Sequence, residues 1–212
     1  MELTDLSCKD FSYELSSKKP VPGGGGAAAL AGSLGVALNM MVANFTKGKK
    51  KFIIYEKQHE TILKKGERLR IELLNLVEKD AINFEPLSKA YSMPSRTEEE
   101  KMLKEEEMQK CLKSALTAPV ETMEIVFEGI MLHSELTDMA SVNIISDIGA
   151  GVLLLKAALG SAYLNVLINA NSITDYVYAD NIKKRARNLL KNGYEKSDEV
   201  FDKVLKIIGQ GD

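Results

Sequence analysis

The chain has 212 residues, 45% of them hydrophobic and 27% charged, which suits one sizeable folded domain and excludes a disordered chain. Lys and Arg number 28 against 30 Asp and Glu, and this net charge of −2 lacks the basic excess of a dedicated nucleic-acid binder. Along the chain, Met1–Asp5 has no basic segment followed by an apolar run, so no signal peptide is expected. Ser7 is placed to N-cap a first helix, with Asp10 at the third position and Leu6 stapled to Phe11. The prolines of Lys18-Lys19-Pro20-Val21-Pro22 end that helix, and four glycines, Gly23 to Gly26, follow as a loop. A second helix is predicted from about Ala27 to Thr46. It is nearly charge-free and close to membrane-spanning length, but Ala and Gly dominate it and Ser33, Asn39 and Asn44 interrupt it. It therefore reads as a tightly packed core helix, with Ala28, Ala31, Gly32 and Gly35 allowing close approach of another backbone.

Lys47-Gly48-Lys49-Lys50-Lys51 turns into a long helix whose stripe runs Ile62, Gly66, Leu69, Leu73, Leu76, Asp80, Phe84, placing a carboxylate among core positions. Thr97 with Glu100 forms a capping box for the next helix, and Pro119 is expected to kink or divide it. A further helix starts near Ser146-Asp147 with the stripe Asp147, Gly151, Leu154, Ala158, Ala162, Asn165, Asn169. A last amphipathic helix runs from about Thr174 to Ile208. No period-2 run suggests a strand, and no linker or repeat divides the chain. The expectation is an all-α, single-domain bundle of six or seven helices over residues 1–212.

The glycine run is the strongest local signal. Backbone N–H groups left free at a following helix N-terminus suit an anion or a polar ligand, whereas a tight helix–helix turn needs the same residues. No strand precedes the glycines and no GK[ST] follows them, which excludes a dinucleotide fingerprint and a P-loop. Asp80 and Asp147 interrupt apolar stripes. Burial raises a carboxyl pKa toward acid/base range, although either residue is equally placed for a structural hydrogen bond, Asp147 as a helix cap. Asn143, Asn165 and Asn169 carry amides suited to a heterocyclic ligand or to plain interhelical bonding. The Lys47–Lys51 cluster is either a solvated junction or a contact for an anionic substrate tail. His59 and His133 lack ligand spacing, so no metal is expected, and Cys8 and Cys111 read as two reduced thiols. These features alone do not name a reaction.

As an ordered set, several segments resemble the cyclodeaminase/cyclohydrolase family of folate enzymes, which includes the cyclodeaminase half of formiminotransferase-cyclodeaminase. They are Pro22 to Ala29, Met41-Val42-Ala43-Asn44 with its Lys-rich end, Asp80-Ala81-x-x-Phe84, Ser146-Asp147, Ala162 to Asn169, and Ile173-Thr174-Asp175. The match departs at Ser141-Val142-Asn143, where relatives often carry Asn at the position of Ser141. The resemblance implies a cytoplasmic homodimer with its active site near the subunit interface. It also implies a tetrahydrofolate substrate that can carry a polyglutamate tail, no cofactor beyond that substrate, and a separate formiminotransferase as a partner. The implied reaction closes 5-formimino-tetrahydrofolate to 5,10-methenyl-tetrahydrofolate with loss of ammonia; the alternatives are a methenyl-tetrahydrofolate cyclohydrolase and a silent folate-binding dimer. On this footing Asp80 is the expected proton shuttle and Asp147 orients the pterin or balances its charge. Asn143, Asn165 and Asn169 read pterin amides, Gly23, Gly24, Gly25 and Gly26 position the substrate, and Lys49 and Lys50 meet glutamate carboxylates.

Overall fold

A computed structural model describes residues 2–209, and every ordered element among them is helical. Seven α-helices follow one another: α1 (Cys8–Leu15), α2 (Gly24–Thr46), α3 (Glu56–Tyr91), α4 (Glu98–Ala115), α5 (Thr117–Thr137), α6 (Ile145–Asn171) and α7 (Tyr176–Gly209). Short 3-10 turns sit at Leu3–Asp5, Lys50–Tyr55 and Val142–Ile144. The all-α bundle expected from periodicity is therefore present.

The predicted caps form. Ser7 Oγ accepts the Asp10 N–H at 3.1 Å, and Thr97 and Glu100 complete their box through Glu100 N–H to Thr97 Oγ1 at 3.1 Å and Thr97 N–H to the Glu100 carboxylate at 3.2 Å. Asp175 accepts the Tyr178 N–H at 3.1 Å and pairs with Lys113 at 3.0 Å, so this member of the Ile173-Thr174-Asp175 segment holds the start of α7. Gly48 has φ +78°, the left-handed turn that lets the chain leave α2.

One boundary differs from expectation, while Pro119 divides its helix as expected. α2 begins at Gly24 rather than near Ala27, with Gly23 as its N-cap, so three of the four glycines form the first helical turn. Tertiary contacts outweigh glycine's poor helix propensity there. The break before α5 falls at Leu116, three residues ahead of Pro119, because Pro119 has no N–H to return to the Ala115 carbonyl. That carbonyl instead accepts from Asn169 Nδ2 at 3.5 Å. α3 also continues through Pro86 to Tyr91.

α2 and α6 form an antiparallel central pair. Gly24 faces Asn165 at one end, Gly35 meets Gly151 and Leu155 midway, and the Ser141 N–H reaches Thr46 Oγ1 at the other. A Cβ on Gly35 would stand 2.7 Å from Leu155 Cγ and 2.9 Å from the Gly151 carbonyl, so the small residues permit this crossing. α3 runs antiparallel to α2 on one side, and α5 and α7 close the other sides of α6. The core gathers Val36, Leu69, Leu73, Val126, Ile130, Ile148, Leu155 and Leu159, all fully buried. Each such side chain contributes about 1.5–3 kcal/mol through removal from water. On α6 the buried spine is Ile148, Val152, Leu155, Leu159, Ala162 and Val166, while Asp147, Leu154, Asn165 and Asn169 lie half-buried on its border. The polar stripe read from the sequence is thus the margin of the core face.

Residues 24–46 and 142–171 form two helical stretches long and apolar enough to cross a membrane. In the bundle, 56% of the most apolar window of α2 is buried, as a core helix requires. Cys8 is exposed and Cys111 buried, and both are free thiols.

Candidate active site

The first turn of α2 carries N–H groups with no intrahelical acceptor. One of them, Gly26 N–H, donates to Asp80 Oδ2 at 2.9 Å. Asp80 is half-buried on α3, at the point where the stripe Leu69, Leu73, Leu76 reaches the end of α2. Burial pushes its carboxyl above the ordinary range, and the Gly26 hydrogen bond offsets part of that rise.

The glycines are a steric requirement. A Cβ on Gly25 would lie 2.5 Å from Asp80 Cγ and overlap both carboxylate oxygens. One on Gly24 would lie 3.5 Å from Asn165 Nδ2, and one on Gly26 would touch Val77 at 3.6 Å. Gly24, Gly25, Gly26, Asp80 and Asn165 therefore converge, and Gly23 caps the helix beside them. Asn165 Nδ2 donates to the Ser161 carbonyl at 2.9 Å. Asn169, one turn further along, uses its Nδ2 on Ala115, which gives it a structural tie between α6 and the α4–α5 junction.

The other predicted residues are elsewhere. Asp147 occupies the first turn of α6 as its third residue, not as its cap, and Asn143 is exposed in the preceding 3-10 turn. Eighteen residues of α6 separate Asp147 from Asn165, about 27 Å of helix. Lys49 and Lys50 are exposed beyond the C-terminus of α2, at the same end as Asp147. Lys47 is engaged with Glu60 at 3.1 Å, whereas Lys49, Lys50 and Lys51 have no ion-pair partner among the described residues. Within one chain the site residues thus form two groups at opposite ends of the α2–α6 pair.

A cavity of about 890 Å³ lies at the second end, between Ile53, Ile54, Ile62, Met139 and the acidic Glu56, Glu60 and Glu135. It contains no residue of the Asp80 group. The carboxylate, the helix N-terminus and the obligatory glycine make the Asp80 group the candidate site, and volume alone does not outweigh them. Three polar side chains outside the predicted site are buried in the core. Asn39 is fully buried with neither amide atom bonded, and His59 and His133 each bond a carbonyl through one ring nitrogen and leave the other unpartnered. An amide inside an apolar helix is the visible signal for Asn39.

Fold and site define an all-helical protein with a perturbed carboxylate held at a glycine-built helix N-terminus. Comparison with known proteins places that architecture. The formiminotransferase-cyclodeaminase family matches residues 7–188. The chain is 36% identical to a methenyltetrahydrofolate cyclohydrolase of Methylorubrum extorquens over 92% of this chain and 93% of that protein. It is 29% identical to the formimidoyltransferase-cyclodeaminase of Rattus norvegicus over 89% of this chain but only 35% of the longer rat protein. Its fold superimposes on the crystal structure of formiminotetrahydrofolate cyclodeaminase from Thermotoga maritima with a TM-score of 0.82, 29% identity, and 99% and 98% of the two chains covered. The chain belongs to the formiminotransferase-cyclodeaminase family, as an enzyme of folate one-carbon metabolism.

Proposed function

We propose that this enzyme converts 5-formimino-tetrahydrofolate to 5,10-methenyl-tetrahydrofolate and releases ammonia. The observation that carries the reading is the Asp80 carboxyl, raised by burial and fixed on the first turn of α2. Ring closure forms a bond from N10 to the carbon of the formimino group, whose terminal nitrogen is protonated, and breaks the bond from that carbon to the amine. The N10 proton must leave and the departing amine must gain one, so one carboxyl that accepts and then donates balances the step. A raised pKa brings both forms of Asp80 closer to working pH. Asn165, beside Gly24, is suited to reading pterin amides, and Lys49 and Lys50 to meeting the glutamate carboxylates. The reading needs no metal or organic cofactor beyond the folate. It implies a separate formiminotransferase as supplier and a cytoplasmic setting.

The same reading takes the enzyme as a homodimer joined through α2 and α6. α2 contains no charged residue, and α6 contains only Asp147 and Lys156, the latter turned away to pair with Asp198 and lie over the Tyr194 ring on α7. Both helices turn large apolar side chains outward, with Leu34 53%, Phe45 60%, Leu164 66% and Ile168 68% exposed. A charge-free face of that kind suits a subunit interface.

The purified enzyme given 5-formimino-tetrahydrofolate is expected to produce methenyl absorbance with one ammonia per turnover. Absence of ammonia, together with accelerated hydrolysis of supplied methenyl-tetrahydrofolate, would replace this reading with a cyclohydrolase. Folate binding without either reaction would leave a silent binder.

A further inference from the structure

We infer that Pro119 is a positioning residue of the Asp80 site: the N–H it lacks leaves the Ala115 carbonyl to Asn169, and that bond fixes Asn169 as a hydrogen-bond acceptor toward the ligand. The inference rests on the folate reading above.

α3 and α6 run antiparallel to α2, and both continue past its start. Gly25 meets Asp80 and Gly24 meets Asn165, so Asn83 and Asn169, about 5–6 Å further along their helices, stand beyond the first turn of α2. The α4–α5 junction joins them there. On either side of it the helical ladder is intact: the Leu116 N–H reaches the Leu112 carbonyl at 3.0 Å, and the Val120 N–H reaches the Leu116 carbonyl at 3.3 Å. Between these bonds the Ser114 and Ala115 carbonyls accept no backbone N–H among the described residues, because Pro119 breaks the ladder. Asn83 Nδ2 donates to the Ser114 carbonyl at 3.2 Å, and Asn169 Nδ2 donates to the Ala115 carbonyl at 3.5 Å. One proline thus ties α3 just past Asp80 to α6 just past Asn165.

The tie also sets a polarity. A backbone carbonyl can only accept, so the NH2 end of Asn169 must face Ala115, and Oδ1 is left as its outward group. Asn165 is constrained in the same way, its Nδ2 donating to the Ser161 carbonyl at 2.9 Å. Two acceptors therefore lie one turn apart on one face of α6, beside the Gly24 and Gly25 N–H groups, which are donors. The 2-amino group and N3–H of a reduced pterin are donors and its 4-oxo group is an acceptor, so this arrangement selects the amide edge of the pterin in one orientation. With an N–H at position 119, the Ala115 carbonyl would gain a helical partner, and Asn169 would be free to present either end of its amide.

Pro119→Ala supplies that N–H, and the helix propensity of alanine keeps the fold. KM for the folate that the wild type turns over should rise about fivefold with kcat within about twofold, as when a contact made equally in ground and transition states is lost. The dissociation constant of tetrahydrofolate, measured by titration, should rise in parallel. Adding Asn169→Asp should restore KM to within about twofold of wild type, since a carboxylate is an acceptor in every orientation and the Ala115 carbonyl keeps its new helical partner. A loss of packing alone would not be rescued by that change. An unchanged KM in Pro119→Ala, or a raised KM that Asn169→Asp fails to restore, would overturn the inference. A wild-type protein that binds no tetrahydrofolate would remove the folate reading itself, a result distinct from either failure.

Discussion

Asp80 is held between opposing influences: desolvation disfavours its charge, and the Gly26 N–H favours it. Because its folded pKa is raised, the ionised carboxyl costs stability at high pH, and that cost fades as pH falls toward the unfolded value of 3.8. Asp80→Asn should therefore raise Tm at pH 8 relative to wild type, with a smaller difference at pH 5, while turnover is lost. An unchanged turnover would remove Asp80 from proton transfer. Gly25→Ala should displace the carboxylate and lower kcat at least about tenfold with the fold retained, read by kinetics beside circular dichroism. His133 has the opposite sign. Its Nδ1–H donates to the Gly129 carbonyl at 2.9 Å, its Nε2 is bare, and burial lowers its pKa from 6.5 to about 4. The stability it supports is complete above pH 6.5 and declines as pH falls through about 4. His133→Gln should flatten the acid side of a Tm-against-pH curve.

At the scale of elements, the first turn of α2 and the midpoint of α6 are governed by contact distance. A methyl on Gly151 would overlap His133 Nε2 and stand 3.0 Å from the Gly35 carbonyl, so Gly151→Ala should cost about 1–3 kcal/mol in denaturant unfolding. The α4 box is a local device, and Thr97→Ala should cost about 1 kcal/mol. Caps of this kind were legible because they depend on residues three apart. The start of α2 was not, because glycine's weak propensity argues against helix and only the Asp80 carboxylate and the Asn165 side chain, both distant in sequence, reverse it. Likewise only part of the α6 stripe, Gly151, Ala158 and Ala162, is buried, since Leu and Ala populate every face of that helix and only its neighbours α2, α5 and α7 decide which side is covered.

Across the whole molecule, the uncharged outer side of α2 and α6 leaves the large apolar side chains Leu34, Phe45, Leu164 and Ile168 uncovered. Leu164→Lys places a charge among exposed apolar side chains. If two copies cover that face, the substitution should shift sedimentation toward monomer and lower activity together, with Tm of the monomer little changed. A dimer that persists at wild-type concentration dependence would place the interface elsewhere.

Composition, 3.6-residue periodicity and the caps by themselves determined an all-helical fold, because each depends on neighbours along the chain. The ordered motifs pointed to the folate family, and the glycine run and Asp80 marked the proposed site. Only the tertiary structure decided that the glycines are helix rather than loop, that Asn169 ties α6 to the broken α4–α5 junction, and that Asp80 and Asp147 lie at opposite ends of one crossing. Those facts depend on the antiparallel pairing of α2 with α6 and on the close approach at Gly35 and Gly151. Residues over a hundred positions apart set both.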